Sequence, residues 1–191
     1  MERRDSFMIL IINICKENLH YYEFVKPIED IVGKEFFTKK FLDVSKEDLE
    51  IAEKVIICGT SLMDFNYFNY LSNFSWIKEF NKPILGICGG MQILVSIFGG
   101  EVCRNDVGED FFEVGFIKLN FKESFLGLKG EKEVYNLHKF GVENIGEKFK
   151  VYTKSKKGIQ AIKHKEKKIY GVLFHPEVRQ KEVIKEFLKN G

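Results

Sequence analysis

Three short apolar runs constrain this chain more than any other feature: Phe7-Met8-Ile9-Leu10-Ile11-Ile12, Val55-Ile56-Ile57-Cys58 and Pro83-Ile84-Leu85-Gly86-Ile87. None alternates apolar with polar residues, so none suits a strand with one wet face. Continuous runs of this length belong to strands buried on both faces of a parallel sheet. Helical stretches separate them. Asn18 to Val32 reads as a helix interrupted near Pro27, where a backbone donor is lost. Ser45-Lys46-Glu47-Asp48 supplies an N-cap and an acidic first turn for a short helix ending near Glu53. Asp64 to Phe80 and Gly90 to Phe98 read as two more helices, and Glu35-Phe36-Phe37-Thr38 as a further strand.

This alternation predicts an α/β fold: a doubly wound, mostly parallel sheet of the flavodoxin-like type, flanked by helices. After Gly99-Gly100 the rhythm changes. Segments near 101–103, 112–121, 132–137, 148–153, 158–163 and 168–174 read as strands joined by tight turns such as Lys156-Lys157-Gly158. They predict antiparallel additions in the C-terminal half, closed by a helix from Gln180 to Lys189. No repeat, linker or low-complexity tract divides the chain, so residues 1–191 are expected to form one domain.

Composition narrows the function classes. A 45% hydrophobic content with 19 Phe and 7 Tyr supports a sizeable core and excludes disorder. Thirty basic against twenty-eight acidic side chains, net +2, argue against a nucleic-acid partner. The longest apolar stretch, Ile84 to Phe98, is broken by Gln92 and three glycines, so no membrane span is expected. Cys15, Cys58, Cys88 and Cys103 are widely spaced and contain no Cys-x-x-Cys pair. With no secretory signal, they read as reduced thiols of a cytoplasmic protein. Histidines and cysteines show no metal-ligand spacing, so neither a metal nor another cofactor is expected.

The stretch Gly86-Ile87-Cys88-Gly89-Gly90-Met91-Gln92 runs a buried strand through a cysteine and two glycines into a helix. A reversal that sharp strains its central residue and pushes the side chain out at the carboxyl edge of the sheet, the logic of a nucleophile elbow. The glycines remove side chains that would collide there. A thiol at a helix N-terminus also has its anion favoured by exposed N–H groups. The plainer reading is a core cysteine in a glycine-punctuated strand end.

The second constellation is Ile169 to Phe174 followed by His175-Pro176-Glu177. Pro176 biases His175 toward an extended backbone, in which residues two apart face the same side. Glu177 can then orient the imidazole of His175 and stabilise its charged form, as the base and orienter of a catalytic triad do. The plainer reading is a surface turn after a strand. Taken together, Cys88, His175 and Glu177 supply nucleophile, base and orienter, all expected at the carboxyl ends of strands where open α/β sheets place their sites.

These two motifs, in this order, resemble the class I glutamine amidotransferases, whose glutaminase domain carries Gly-x-Cys-x-Gly-x-Gln and a later Phe-His-Pro-Glu. The resemblance covers essentially the whole chain. It implies that Cys88 attacks the side-chain amide of L-glutamine to form a γ-glutamyl thioester. It also implies that His175 protonates the departing ammonia and then activates water, and that Glu177 holds His175. Gly89 would lend its N–H to the oxyanion hole, and Gln92 would lie beside bound glutamine.

The chain departs from that pattern in two places. Relatives carry Gly-Gly-Pro-Gly after the preceding strand as the source of a second oxyanion donor; here the run is Cys58-Gly59-Thr60-Ser61-Leu62-Met63-Asp64. Gly59 is retained and Thr60 offers a backbone N–H, but a β-branched residue resists positive φ. Alternatively, Ser61 or Asp64 caps the following helix. In addition, Asn136-Leu137-His138-Lys139-Phe140-Gly141-Val142 resembles the Ser-His-Lys-Asp-Glu-Val segment of GMP synthetase glutaminase subunits, with Leu137 and Phe140 in place of Ser and Asp. His138 would then contact substrate, or else be a loop histidine satisfied by its neighbours. The lysine-rich stretch from Lys148 to Lys168 reads as a solvated hairpin face, or as a docking surface for a partner or its nucleotide.

The chain has neither a P-loop nor a Ser-Gly-Gly-x-Asp-Ser pyrophosphatase loop. The resemblance therefore implies a glutaminase subunit that passes ammonia to a separate ATP-dependent synthetase. Two other readings stay open: a free-standing γ-glutamyl hydrolase, and a non-catalytic regulatory relative.

Overall fold

The computed structural model describes residues 8–103 and 112–191; Phe7, at the head of the first apolar run, lies outside them. The chain begins with strand β1 (Met8–Asn13), a 3-10 turn (Asn18–His20), helix α1 (Tyr21–Phe24) and helix α2 (Lys26–Val32). The helix read from Asn18 to Val32 is thus in pieces, with Pro27 in the first turn of α2, where its missing N–H costs nothing. Strand β2 (Phe36–Lys40), helix α3 (Lys46–Ile51) and strand β3 (Ala52–Ile57) follow. Ser45 caps α3 through a reciprocal pair: its Oγ accepts from Asp48 N–H at 3.2 Å, and Asp48 Oδ2 accepts from Ser45 N–H at 2.9 Å.

Next come a 3-10 helix (Asn66–Lys78), strand β4 (Ile84–Ile87) and helix α4 (Gly89–Ile97). The segment expected as one α-helix from Asp64 to Phe80 is a tighter 3-10 coil with a non-helical break at Tyr70. Its Asn, Ser and aromatic residues are mediocre α-helix formers, and burial of Tyr67, Phe68, Phe74 and Ile77 anchors it instead.

The second half contributes β5 (Glu101–Cys103), β6 (Glu113–Phe125), β7 (Leu128–His138), β8 (Gly141–Asn144), β9 (Phe149–Ser155), β10 (Gly158–His164), β11 (Ile169–Val172) and helix α5 (Glu182–Asn190). Seven strands form the main sheet in the order β2-β1-β3-β4-β11-β10-β9. The first five are parallel; β10 and β9 add antiparallel strands. The remaining four strands pair as two separate ribbons, β5 with β8 and β6 with β7.

Two apolar cores cover the sheet's faces, and β1 shows why the run had to be continuous. Leu10 and Ile12 belong to one core, with Phe74, Ile77 and Leu94; Ile9 and Ile11 belong to the other, with Ile28, Phe121 and Phe187. Each such side chain, fully buried, contributes roughly 1.5–3 kcal/mol. Along β9 the lysines Lys150 and Lys154 are exposed while Phe149 and Thr153 are buried, so this part of the lysine-rich stretch is a solvated face.

Candidate active site

Strands β4 and β11 are parallel neighbours in register, Ile87 opposite Val172. The chain leaves both at the same edge of the sheet, Cys88 directly after β4 and His175 three residues after β11. Cys88 N–H donates to Val172 O at 2.8 Å, continuing the ladder one step beyond the strand. The backbone then reverses. Cys88 has φ 49° and ψ −106°, a left-handed conformation that a side-chain-bearing residue rarely adopts, and it is the N-cap of α4. The first bond of α4 runs from Gln92 N–H to Cys88 O at 3.1 Å, so the N–H groups of Gly89, Gly90 and Met91 stand ahead of the helical ladder. Glycine at 90 is obligatory for this turn, because a Cβ there would stand 2.3 Å from Ile57 O.

His175 and Glu177 are 1% and 3% exposed, and His175 Nδ1 lies 2.7 Å from Glu177 Oε1. Burial opposes charge on the ring, but the facing Glu177 and the neighbouring Cys88 outweigh it and hold the imidazolium well above the ordinary histidine range. His175 is further fixed by its own N–H, which donates to Tyr135 O at 2.8 Å, and by the tilted ring of Phe24 at 5.4 Å. The Cys88 thiol, 4% exposed, is turned toward Leu137 O at 3.7 Å, and the buried His175 Nε2 has no hydrogen bond among the described residues.

Gly59 brings the two halves together. A Cβ at that position would stand 2.7 Å from His175 Cε1 and 3.2 Å from Cys88 Cβ, so the bare backbone of the loop is what both side chains pack against. Neither Gly59 nor Thr60 has positive φ; the loop makes its turn without the conformation that a β-branched residue resists. Thr60 is buried, and its hydroxyl donates to Asp64 Oδ2 at 2.7 Å. Neither Ser61 nor Asp64 caps the following 3-10 helix, whose N-cap is Phe65 with no side-chain bond. Asp64 turns back onto the loop instead.

Thr60, Cys88, Gln92, Leu137, His138 and Phe140 are among the residues lining one narrow cleft that opens to solvent. Gln92 is clamped within it: its Oε1 accepts from Tyr67 Oη at 2.5 Å and its Nε2 donates to Phe140 O at 2.9 Å. The amide expected beside a ligand thus binds α4 to the 3-10 helix and to the turn between β7 and β8. His138 ends β7, buried, with Nε2 3.5 Å from Glu113 Oε2 and neither ring nitrogen in a hydrogen bond among the described residues. Its carboxylate neighbour is thus Glu113, on the facing strand β6.

Sequence reasoning passed over Glu113, whose Oε2 accepts from Asn136 Nδ2 at 2.5 Å, Gln160 Nε2 at 3.0 Å and Ser155 Oγ at 3.1 Å. Four strands meet at that one oxygen or beside it, a convergence with no signal in linear spacing. Tyr67 was likewise hidden in an aromatic-rich stretch. Among the described residues no group of three or more His, Cys, Asp or Glu side chains is gathered to hold a metal ion, and no helix is long and apolar enough to cross a membrane.

Comparison with known proteins places this arrangement. The family described as Glutamine amidotransferase class-I matches residues 20–191. The chain is 33% identical over 184 residues to the glutamine-hydrolyzing GMP synthase subunit of Methanococcus maripaludis, covering 96% of this chain and 94% of that protein. It is 41% identical over 115 residues to the protein of the same name from Pyrococcus furiosus, a match that spans 59% of this chain and 60% of that relative. Among solved structures, a Thermoplasma acidophilum protein provisionally assigned to the same GMP synthase component superimposes with a TM-score of 0.82 at 21% identity, over 96% of this chain and 93% of that one. PurLQS from Thermotoga maritima superimposes with a TM-score of 0.66 at 19% identity, over 96% and 98%. These structures share the fold, and the sequence matches carry the assignment: the chain belongs to the class I glutamine amidotransferases.

Proposed function

We propose that this chain is a glutaminase subunit that hydrolyses L-glutamine to glutamate and ammonia and passes the ammonia to a separate synthetase, with an ATP-dependent GMP synthetase as the partner. The observation that carries this reading is the strained Cys88 at the start of α4, packed with His175 against Gly59, while Glu177 lies 2.7 Å behind the histidine.

In this reading the Cys88 thiolate attacks the side-chain carbonyl carbon of glutamine, and the charge that develops on oxygen is met by the Gly89 and Thr60 N–H groups. Collapse of that intermediate breaks the C–N bond as protonated His175 gives a proton to the leaving nitrogen. Ammonia departs and the γ-glutamyl thioester remains. Neutral His175 then takes a proton from water, the hydroxyl attacks the thioester carbonyl, and the C–S bond breaks to release glutamate and restore the thiolate. Glu177 keeps one tautomer and stabilises the imidazolium in both halves. Gln92 and His138 form the wall of the substrate cleft.

A glutamine-mimicking diazoketone tests the assignment. The expected result is a covalent adduct located by mass spectrometry at Cys88 and suppressed by glutamine. Absence of labelling, with and without a candidate synthetase, would favour the non-catalytic alternative. Ammonia release that requires the synthetase supports the subunit reading; full release without it would point to a free-standing hydrolase.

A further inference from the structure

The loop that lost a glycine and a proline is fastened by other means. One contact meets the peptide between Gly59 and Thr60 directly, and two more tie the Thr60 side chain to Asp64 and Asp64 to the backbone of Lys16. On one side Cys15 Sγ donates to Gly59 O at 3.7 Å. Burial pushes the Cys15 thiol up to about 11, so it stays protonated and keeps its donor. On the other side the Thr60 hydroxyl donates to Asp64 Oδ2 at 2.7 Å, and the same oxygen accepts the backbone N–H of Lys16. Asp64 N–H donates to Ser61 O at 3.0 Å, which closes the turn that carries the carboxyl group back. Asp64 is 6% exposed, and His20 Nδ1 stands 3.8 Å from the shared oxygen.

The geometry has a direct consequence for the Thr60 N–H. No cis peptide occurs among the described residues. In a trans peptide the carbonyl and the following N–H point in opposite directions. With Gly59 O turned toward Cys15, the Thr60 N–H is turned away from it, while Gly59 is packed against Cys88 and His175 and Thr60 lines the same cleft as Cys88.

We infer that Thr60 and Asp64 are positioning residues: their side-chain bond, tied to Lys16 N–H, locks the Gly59–Thr60 peptide with its N–H available as an oxyanion donor, a task a flexible glycine pair would otherwise perform. Neither side chain touches the reacting atoms; both act through the peptide they hold. The inference rests on the glutaminase reading above.

The test compares T60V, T60S and D64A in the full chain together with its synthetase, measuring glutamine hydrolysis and, separately, the rate at which iodoacetamide alkylates Cys88. Alkylation displaces iodide from carbon and builds no oxyanion, so it reports the thiol and its histidine but not the donor. Removing an oxyanion donor outright costs about 10²–10³ in kcat. A donor that is loosened rather than lost should cost about tenfold or more, with KM within about twofold because the bond forms in the transition state.

We expect T60V and D64A to show that fall in kcat with unchanged alkylation, and T60S, which restores the hydroxyl, to recover it. A wild-type kcat in T60V would overturn the inference alone. So would a fall in kcat matched by an equal fall in alkylation, which would place the damage in the thiol or the fold. Because T60V is nearly isosteric, it decides the question even where D64A fails to fold. No glutamine hydrolysis by the wild-type pair would instead remove the functional reading on which the inference stands.

Discussion

Glu177 and His175 form a closed, buried pair two residues apart, 2.7 Å from oxygen to nitrogen, with Pro176 between them. Burial alone would lower the affinity of the ring for a proton; the carboxylate reverses that. Folding therefore favours the protonated ring. That contribution is complete below the unfolded histidine value of about 6.5 and is lost as pH rises through the higher folded value. E177Q removes one of the two causes and leaves Cys88 as the other. The His175 resonance should titrate at lower pH by NMR, the alkaline loss of stability seen in the wild type should shrink, and glutaminase activity should fall by about 10²-fold or more.

Replacing Gly59 with alanine tests the contact that unites the site. The new methyl would need the space of His175 Cε1, 2.7 Å away and walled in by Phe24 and Glu177. The expected stability cost is about 1–3 kcal/mol, as for overpacking elsewhere. The expected activity cost is larger, about 10²-fold, because a displaced base no longer meets the thiol. Steady-state kinetics beside chemical denaturation separates the two; an activity loss no greater than the stability loss explains would contradict the contact.

Much of this was legible in the chain because strong local rules agree. Continuous apolar runs marked β1, β3 and β4, and the Gly-x-Cys-Gly-Gly pattern marked a sharp reversal, at which Cys88 takes a left-handed conformation. The parts that escaped depend on partners distant in sequence. The short strand β8 has a half-polar sequence, Gly-Val-Glu-Asn, and exists only because β5 pairs with it. The C-terminal strands were expected as antiparallel additions, yet β11 is parallel to β4 and antiparallel to β10. That choice is set by the crossover, not by composition. Gln92 was placed by motif, but its double clamp by Tyr67 and Phe140 needed the packed structure.

Y67F addresses that clamp. It deletes a buried donor and leaves Gln92 Oε1 without it, at an expected cost of about 1–3 kcal/mol. The damage should concentrate in the 3-10 helix and the turn after β7, so hydrogen exchange should accelerate there and not in β1 or β3. Uniform acceleration would mean the bond has no local role.

Glu113 gives a prediction in acid. Burial pushes its carboxyl up, but His138, Ser155 and Asn136 outweigh this and leave it below the usual glutamate range. Its contribution is then present above the unfolded value of about 4.3 and is lost as pH falls through the lower folded value. E113Q should be less stable than wild type by about 1–3 kcal/mol near neutrality, with the gap closing in acid. Denaturation at a series of pH values measures it; a constant gap would rule the charge out as the cause.

S45A provides a control remote from the site. Losing the capping box of α3 should lower stability by about 0.5–2 kcal/mol while kcat and KM stay at wild-type values. Any change in catalysis would show that α3 communicates with the cleft.

The place of β11 in the sheet has a consequence for biogenesis. Of the eleven strands described this one is the last to be made, yet it is inserted inside the sheet, between β4 and β10. A nascent chain that has already released Cys88 holds a cysteine without His175 beside it, and the β9–β10 pair is not joined to the parallel strands of the sheet until residues 169–172 arrive. Such long-range pairing is slow to form. Pairing of the Cys88 thiol with its imidazole is thereby postponed until residues 169–175 have been made, and shorter nascent chains carry that thiol alone.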